Sequence, residues 1–387
     1  MAVKKLCILI LLVLCINQAT AGCANYHNGS ICHESVPCCS GGYCNPLGHR
    51  CIANICDPSN SYSPNSCYPK PQCESFSDDF SKNDLIEFGV FNGNPNGDYH
   101  WYSNYTPSYA AIKNQELVLS MKLGNKTNKE HDREGFGATV SSIRWIQYGT
   151  VTAKVKTASV APGVVTSFII RSPEGDEIDF EWVGKSPNEV QTNYYYHEDL
   201  HDNRHSMSVS VNDNTARSFN EYQIQWEEES IKWYVNSKLA RTLLRKNTTY
   251  DEKTKEHRYP SQLAQVQFGI WDSNSGGNGT MSWAGGPTNW SNPNTVFEAY
   301  FDDIKIECKH NGNQIQNFPI ATVVTTTSTS TSFTSTSTVA NASTTKSSLG
   351  QAADVRHKLV ENSATSIQCC FTLLSLVYLL SNYMLNL

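Results

Sequence analysis

Residues 175–184 read GDEIDFEWVG and place four carboxylates within six consecutive positions. In a β-strand, successive side chains of such a stretch point to opposite faces. One face then carries three large apolar groups and the other carries three acids. The apolar set is Ile178, Phe180 and Trp182, and the acidic set is Glu177, Asp179 and Glu181. This alternation predicts a strand with one face in a protein core and one face that collects negative charge.

The surrounding chain repeats the period of two, and Gly, Asn, Pro and Asp clusters separate its runs. The alternating runs are 151–156, 207–211, 222–226, 231–235 and 301–306. Many short alternating runs with turn residues between them predict an all-β antiparallel sandwich of about 230 residues. We place this domain at residues 74–308, which hold all eight tryptophans.

Both chain ends carry targeting patterns. Residues 1–21 combine two lysines, an apolar run and an Ala-x-Ala sequence, which predicts a secretory signal peptide. Residues 309–350 are predicted to form a Ser/Thr-rich stalk, and residues 351–387 a GPI-attachment signal that is removed. Gly350 and Asn362 are the candidate attachment residues. A single transmembrane helix is the alternative for the apolar tail.

Cysteine usage agrees with secretion. Removal of the two end segments leaves ten of the fourteen cysteines, and nine of these ten lie in residues 22–73, which we call the cysteine-rich segment. Disulfides are the expected state of such a segment, which is too small and polar to fold on an apolar core. The seven N-x-S/T sequons are Asn28, Asn104, Asn125, Asn247, Asn278, Asn289 and Asn341.

Glu177 and Glu181 lie four positions apart on the predicted strand, which spans about 13 Å. If their side chains lean towards each other, the carboxyls come to roughly 5 Å, the separation that retaining glycoside chemistry uses. One glutamate would attack the sugar, the other would act as acid and then base, and the aspartate would assist the nucleophile. Repulsion between the acids raises one pKa and keeps that group protonated. A solvated or calcium-binding acidic face is the alternative.

Glu177-Ile-Asp-Phe-Glu181 resembles the E-x-D-x-E signature of glycoside hydrolase family 16. The match is closer to the fungal Crh cell-wall transglycosylases, over roughly residues 74–308. The further similar stretches are YGTVTAKVKTA, GVVTSFIIRS, QFGIW, GTMSWAGG and DDIKIEC. The resemblance implies a concanavalin-like β-jelly-roll with Glu177 as nucleophile, Asp179 as assisting acid and Glu181 as acid/base. It also implies that a chitin chain is cleaved and passed to a β-glucan or chitin acceptor.

Substrate contacts are expected on the strand 265–271 and in the loop after it. Gln267, Trp271 and Thr280 match the family's sugar-contacting positions, and Glu181 also contacts substrate. Gln267 and Trp271 share one face of their strand, where an amide binds hydroxyls and an indole covers a sugar ring. Packing in the core is the alternative for Trp271. Trp283 and Trp290 are weaker candidates for the acceptor side.

The cysteine-rich segment resembles a hevein-type chitin-binding module. The resemblance implies the disulfides Cys23–Cys39, Cys32–Cys44 and Cys38–Cys51, which spacing alone does not fix. Its CCSGGYC sequence keeps Tyr43 as the one aromatic, and Arg50 stands where an aromatic is expected. A disulfide-clamped spacer without chitin affinity is therefore the alternative to a binding module.

Residues 197–201 read HEDLH and match the H-E-x-x-H zinc-protease motif. That chemistry requires a helix, and the flanking runs are strand-like, so we expect an exposed loop here. The formal net charge of −6 argues against nucleic acid as a partner.

We expect a secreted monomer in the cell wall, held at the outer face of the plasma membrane only through a GPI lipid. Chitin and β-glucan are its expected partners. No cofactor is implied, although a structural calcium ion stays open. A non-catalytic glycan-binding sandwich and a plain β-glycan hydrolase are the competing functions.

Overall fold

The structure is a computed structural model that describes residues 23, 30–52, 55–68, 70–91, 97–124, 134–197 and 205–310. The stalk, the terminal segments, Glu198 and His201 lie outside the described residues. In the described part, two antiparallel sheets pack face to face around a core rich in Val, Ile, Phe and Trp. The predicted all-β sandwich is confirmed.

The nine-stranded sheet forms one layer. Its main path runs β17-β16-β15-β10-β21-β7-β6, with β3 added to β21 and β8 added to β7. The bounds are β3 Phe76–Asp78, β6 Ala110–Lys113, β7 Glu116–Leu123, β8 Gly135–Phe136, β10 Gly149–Lys156, β15 Asn220–Trp226, β16 Ser230–Val235, β17 Lys238–Leu244 and β21 Val296–Cys308. In β15, Tyr222, Ile224 and Trp226 are buried while the residues between them are half-exposed, as the sequence alternation predicts.

The eight-stranded sheet forms the other layer in the order β14-β13-β12-β11-β20-β9-β5-β4. The bounds are β4 Leu85–Glu87, β5 Trp101–Tyr105, β9 Ala138–Ser142, β11 Val164–Arg171, β12 Glu177–Val183, β13 Glu189–Tyr195, β14 Met207–Ser210 and β20 Gln265–Asp272. Neighbours in this sheet pair antiparallel, except β4 and β5, which pair parallel. We call its outer side, which carries the three acids of β12, the acidic face.

Short elements complete the described part. Small hairpins join β1 Cys38–Ser40 to β2 Tyr43–Asn45, and β18 Tyr250–Asp251 to β19 Glu256–His257. Helix α1 spans Asn278–Trp283, which the period-two analysis missed, and five 3-10 turns lie at 49–51, 64–66, 107–109, 245–247 and 273–275. Within the described ranges, no helix has the length and hydropathy needed to cross a membrane.

Five disulfides fix the cysteine-rich segment and tie it to the sandwich. The three implied pairs Cys23–Cys39, Cys32–Cys44 and Cys38–Cys51 are confirmed. The remaining pairs are Cys56–Cys67 and Cys73–Cys308, and the last joins residues 235 positions apart. Because Cys308 ends β21, this bond clamps the start of the sandwich domain to its final strand.

Candidate active site

A tight hairpin sets the position of β12. Residues 172–176 connect β11 to β12, and Gly175 turns the chain at a φ of 92°, where a glycine has no Cβ to clash. The Ser172 amide donates to the Asp176 carbonyl at 2.9 Å. The Asp176 carboxylate accepts from the amides of Ser261 at 2.7 Å and Gln262 at 3.0 Å. The start of the acidic strand is therefore anchored on two sides.

The two faces of β12 are occupied as the alternation predicts. Ile178, Phe180 and Trp182 are at most 1% exposed and belong to the main core. On the acidic face, Glu177 is 7% exposed, Asp179 is 0% exposed and Glu181 is half-buried. A solvated acidic face is therefore wrong, because the three carboxylates are largely withdrawn from water.

Burial and mutual repulsion perturb these acids. Burial raises the pKa of Asp179 well above its usual value, and the Glu181 and Glu177 carboxylates raise it further. The pKa of Glu181 is raised to about 8, first by burial and then by Glu177, against a hydrogen bond from Trp271 that lowers it. Neither carboxyl oxygen of Asp179 has a well-formed hydrogen bond, although the Asn193 amide lies near enough to lower the pKa slightly. Both shifts favour the protonated form of these two carboxyls.

Arg171 distinguishes Glu177 from the other two acids. Arg171 lies directly opposite Glu177 in the β11–β12 pairing, and its guanidinium forms an ion pair with the Glu177 carboxylate. An adjacent cation favours the ionised form of a carboxylate. The site therefore combines a carboxylate paired with a cation and, four positions away on the same strand, a carboxyl whose pKa is raised to about 8.

Two stacked tryptophans lie at the Glu181 end of the acidic face. Trp271 on β20 donates to Glu181 and stacks on Trp283, with ring centroids 5.8 Å apart and planes at 14°. Trp283 ends α1, and its Nε1 donates to the Gln191 amide oxygen at 2.7 Å. Both indoles are only partly buried and pack against the small apolar cluster of Val165, Val183 and Ala284. Trp271 therefore lies on the acidic face with one side open, and contact of Trp271 and Trp283 with sugar stays a prediction.

The other predicted contacts separate into two groups. Gln267 lies in register with Ile169, which faces Asp179, and is half-exposed on the acidic face. Thr280 is half-buried on α1, and its role in sugar contact stays a prediction. Trp290 is wrong as a candidate for the acceptor side, because it is 3% exposed and packs in the main core. Its Nε1 donates to buried Asp272 at 2.8 Å.

In the described ranges, the groups of side chains that could bind a metal ion do not include these three acids. Asp78, Asp84 and His100 bring one donor atom each within 4.8 Å of one another. Asp78 already accepts from the Phe80 amide and the Trp101 indole, and Asp84 pairs with His100 at 2.6 Å. Burial first, and then the neighbouring Asp84, raise the pKa of Asp78 to about 6, against the hydrogen bonds from Phe80 and Trp101 that lower it. Cys23, Cys32 and Cys44 are all in disulfides.

Sequence reasoning missed Arg171 and Gln191, which both act on predicted site residues. The signal for Arg171 was the RSPEGDE hairpin at 171–177, whose turn places the two ends of the stretch opposite each other. Gln191 carried no such signal, because its link to Trp283 spans 92 residues.

Comparison with known proteins agrees with this site. The family model "Glycosyl hydrolases family 16" matches residues 96–292, about half of the chain and all three acids. Crh-like protein 2 of Aspergillus fumigatus is 34% identical over 289 residues, which cover 72% of this chain and 61% of that protein. Congo red hypersensitive protein 2 of Saccharomyces cerevisiae is 34% identical over 288 residues, covering 72% of this chain and 57% of that protein.

Among solved structures, an apo Crh5 transglycosylase covers 64% of this chain and 90% of its own, with 22% identity and a TM-score of 0.49. The chain spans about three fifths of the length of the curated relatives it matches. The family match and the sandwich define a protein of the glycoside hydrolase class. The chain belongs to glycosyl hydrolases family 16.

Proposed function

We propose that the protein is a retaining transglycosylase that cleaves chitin and transfers it to a β-glucan or chitin acceptor. The observation that carries this proposal is the unequal pair on β12, in which Arg171 holds Glu177 as an anion while the pKa of Glu181 is about 8. Retaining chemistry needs two carboxyl groups, one as nucleophile and one as acid and then base. The similarity to a Crh-like protein supports transfer as the outcome.

In the first half-reaction, Glu177 attacks the anomeric carbon while Glu181 donates its proton to the leaving oxygen. The bond from the anomeric carbon to the leaving oxygen breaks, and a bond to the Glu177 carboxylate forms. Asp179 lies between the two glutamates on β12, and we assign its carboxyl the role of donating a hydrogen bond to the nucleophile once the sugar is bound. Its withdrawal from water strengthens this contact.

In the second half-reaction, Glu181 acts as base towards the incoming hydroxyl, which displaces Glu177 and restores the original configuration. The acceptor must therefore enter beside Glu181. The Trp271–Trp283 pair lies there and offers an apolar surface for a sugar ring. An occupied acceptor site excludes water, which favours transfer over hydrolysis.

We further propose that the protein is a secreted glycoprotein of the cell wall with a GPI anchor. The signal-like start, the Ser/Thr tract and the apolar tail support this proposal. Asn104, Asn247, Asn278 and Asn289 are exposed, as glycosylation requires. Tyr43 is 59% exposed, which fits a role in chitin contact for the cysteine-rich segment.

Incubation of the secreted protein with chitin oligosaccharides and a fluorescent β-glucan oligomer tests the reaction. Labelled hybrid products are expected by mass spectrometry. Shortened chitin chains without labelled hybrids would show that the protein is a hydrolase and not a transglycosylase. Intact chains together with measurable glycan binding would support the non-catalytic alternative.

Trp283→Ala is expected to lower the ratio of transfer to hydrolysis by about two- to tenfold, because a stacked aromatic contact contributes about 0.5–1.5 kcal/mol. Total donor cleavage is expected to change less. Trp283→Phe keeps an aromatic surface and serves as the control. An unchanged product ratio in Trp283→Ala would place the acceptor elsewhere.

Arg171→Met is expected to move the acid limb of the kcat/KM profile to higher pH by about one unit or more, because a neighbouring cation stabilises the ionised nucleophile. Activity below neutral pH then falls most. Arg171→Lys keeps the charge and is expected to retain most of the original profile. An acid limb that does not move would mean that Arg171 has only a structural role.

A further inference from the structure

One end of the acidic face is closed. One row of residues in register runs across five neighbouring strands, from β12 to β5. In order, it contains Asp179, Ile169, Gln267, Ser141 and Tyr102. Tyr102 therefore points to the same side of the sheet as the acids. It is nevertheless 1% exposed and Ser141 is 0% exposed, whereas Gln267 is half-exposed.

The cover consists of the described part of the cysteine-rich segment and residues 88–91 after β4. A second apolar cluster joins the two parts of the chain, and it is separate from the sandwich core. Its buried members are Cys38, Cys51, Ile52, Cys56, Cys67 and Tyr68 from the segment, and Phe91, Tyr102 and Ile143 from the sandwich. The Phe91 ring stacks on Tyr102, with centroids 5.8 Å apart and planes at 10°.

Polar and covalent links hold this cover in place. Lys70 pairs with Glu174 at 3.0 Å and lies over the Trp145 ring at 4.8 Å. The Trp145 amide donates to the Pro71 carbonyl at 2.7 Å, and the Cys73–Cys308 disulfide follows directly in the chain. The segment is therefore packed on the sandwich and is not a module on a free linker.

The closed end lies beside the nucleophile. Gln265 is the pairing neighbour of Arg171, which faces Glu177. Gln265 is 2% exposed, and its amide oxygen accepts from the Tyr102 hydroxyl at 3.1 Å. The Trp271–Trp283 pair, in contrast, lies at the Glu181 end. The cover therefore limits the half of the site that holds the sugar bound to Glu177.

We propose that the cysteine-rich segment forms a fixed end wall of the donor half of the site and sets how many donor sugars the enzyme contacts. This inference rests on the proposed function. In the register of Asp179, the sheet floor extends three strand spacings, about 14 Å, from β12 to β9, where Ser141 is buried. A donor chain longer than this floor leaves the acidic face over the segment and gains no further contact with the sheet.

Titration calorimetry with the full secreted chain carrying Glu181→Gln tests the wall, with chitin oligosaccharides of increasing length as the probe. Affinity is expected to rise with length and then become constant once the donor chain extends past the floor of about 14 Å. Affinity that keeps rising over several further sugars would contradict the proposed end wall and leave the proposed function intact. Absence of binding at every length would contradict both the end wall and the proposed function.

Phe91→Ala, with Phe91→Leu as the control, tests the same wall by trimming its cover over Tyr102. In the alanine variant, the oligosaccharide length at which affinity becomes constant is expected to increase. In the leucine variant, this length is expected to stay unchanged. A folded alanine variant with an unmoved length dependence would contradict the proposal.

Hydrogen exchange on the wild-type chain gives a readout that needs no variant. The Trp145 amide, which donates to the Pro71 carbonyl at 2.7 Å across the contact between sandwich and segment, is expected to be as strongly protected as the amides of β5. Rapid exchange at Trp145 beside a protected β5 would show that the segment moves relative to the sandwich, and the fixed wall would be rejected.

Discussion

Glu181→Gln is expected to lower chitin transfer by about 10²- to 10⁴-fold, the usual contribution of a positioned acid–base group. Glutamine is nearly isosteric but has no proton to give to the leaving oxygen and cannot activate the acceptor. The half-buried position and the pKa of about 8 mark Glu181 as the acid of the site. Steady-state rates with a chitin oligosaccharide donor and a glucan acceptor measure the loss.

Two measurements separate this role from a structural one. With a donor that carries an activated aryl leaving group, the first half-reaction of Glu181→Gln is expected to be largely retained, because that leaving group needs no protonation. In the wild type, kcat/KM is expected to fall as pH rises through about 8, since the acid is then lost. Full activity of the variant would instead show that Glu181 is not the acid/base of the reaction.

Removal of the Cys73–Cys308 bond is expected to have the largest effect on stability. It closes a loop of 235 residues, for which the chain-entropy model gives about 5 kcal/mol. Cys73→Ala combined with Cys308→Ala should lower the free energy of unfolding by roughly this amount. Urea unfolding of the secreted protein, followed by tryptophan fluorescence, measures the change.

The Cys56–Cys67 bond provides the matched control. It closes a loop of only 11 residues, so the same model gives about 3 kcal/mol for its removal. Equal losses from the two double variants would contradict the loop-length explanation. A larger loss from the Cys56–Cys67 pair would show that packing of the cysteine-rich segment on the sandwich dominates.

Period-two alternation was sufficient to predict the sandwich and the two faces of β12. It succeeds because the core requires Ile178, Phe180 and Trp182 on one side, and this requirement places the three acids on the other side. The same alternation placed Gln267 and Trp271 together on β20. These predictions depend only on neighbours along one strand.

Features that depend on contacts between distant parts of the chain could not be predicted in this way. Trp283 and Trp290 lie seven residues apart in one Gly-rich stretch, yet one stacks on Trp271 and the other packs in the core. The two positions are fixed by different hydrogen-bond partners: the Trp283 indole donates to Gln191, and the Trp290 indole donates to Asp272. The burial of Tyr102 likewise requires the position of the cysteine-rich segment, which alternation in β5 does not contain.

A covalent sugar on Glu177 is the central requirement of the proposed mechanism. Glu181→Gln should accumulate this intermediate from a chitin oligosaccharide with an activated leaving group, because release needs the missing base. After an acid quench and proteolysis, mass spectrometry is expected to find the added sugar on the peptide that contains Glu177. A modified peptide elsewhere, or turnover with inverted configuration and no adduct, would contradict a retaining mechanism at this strand.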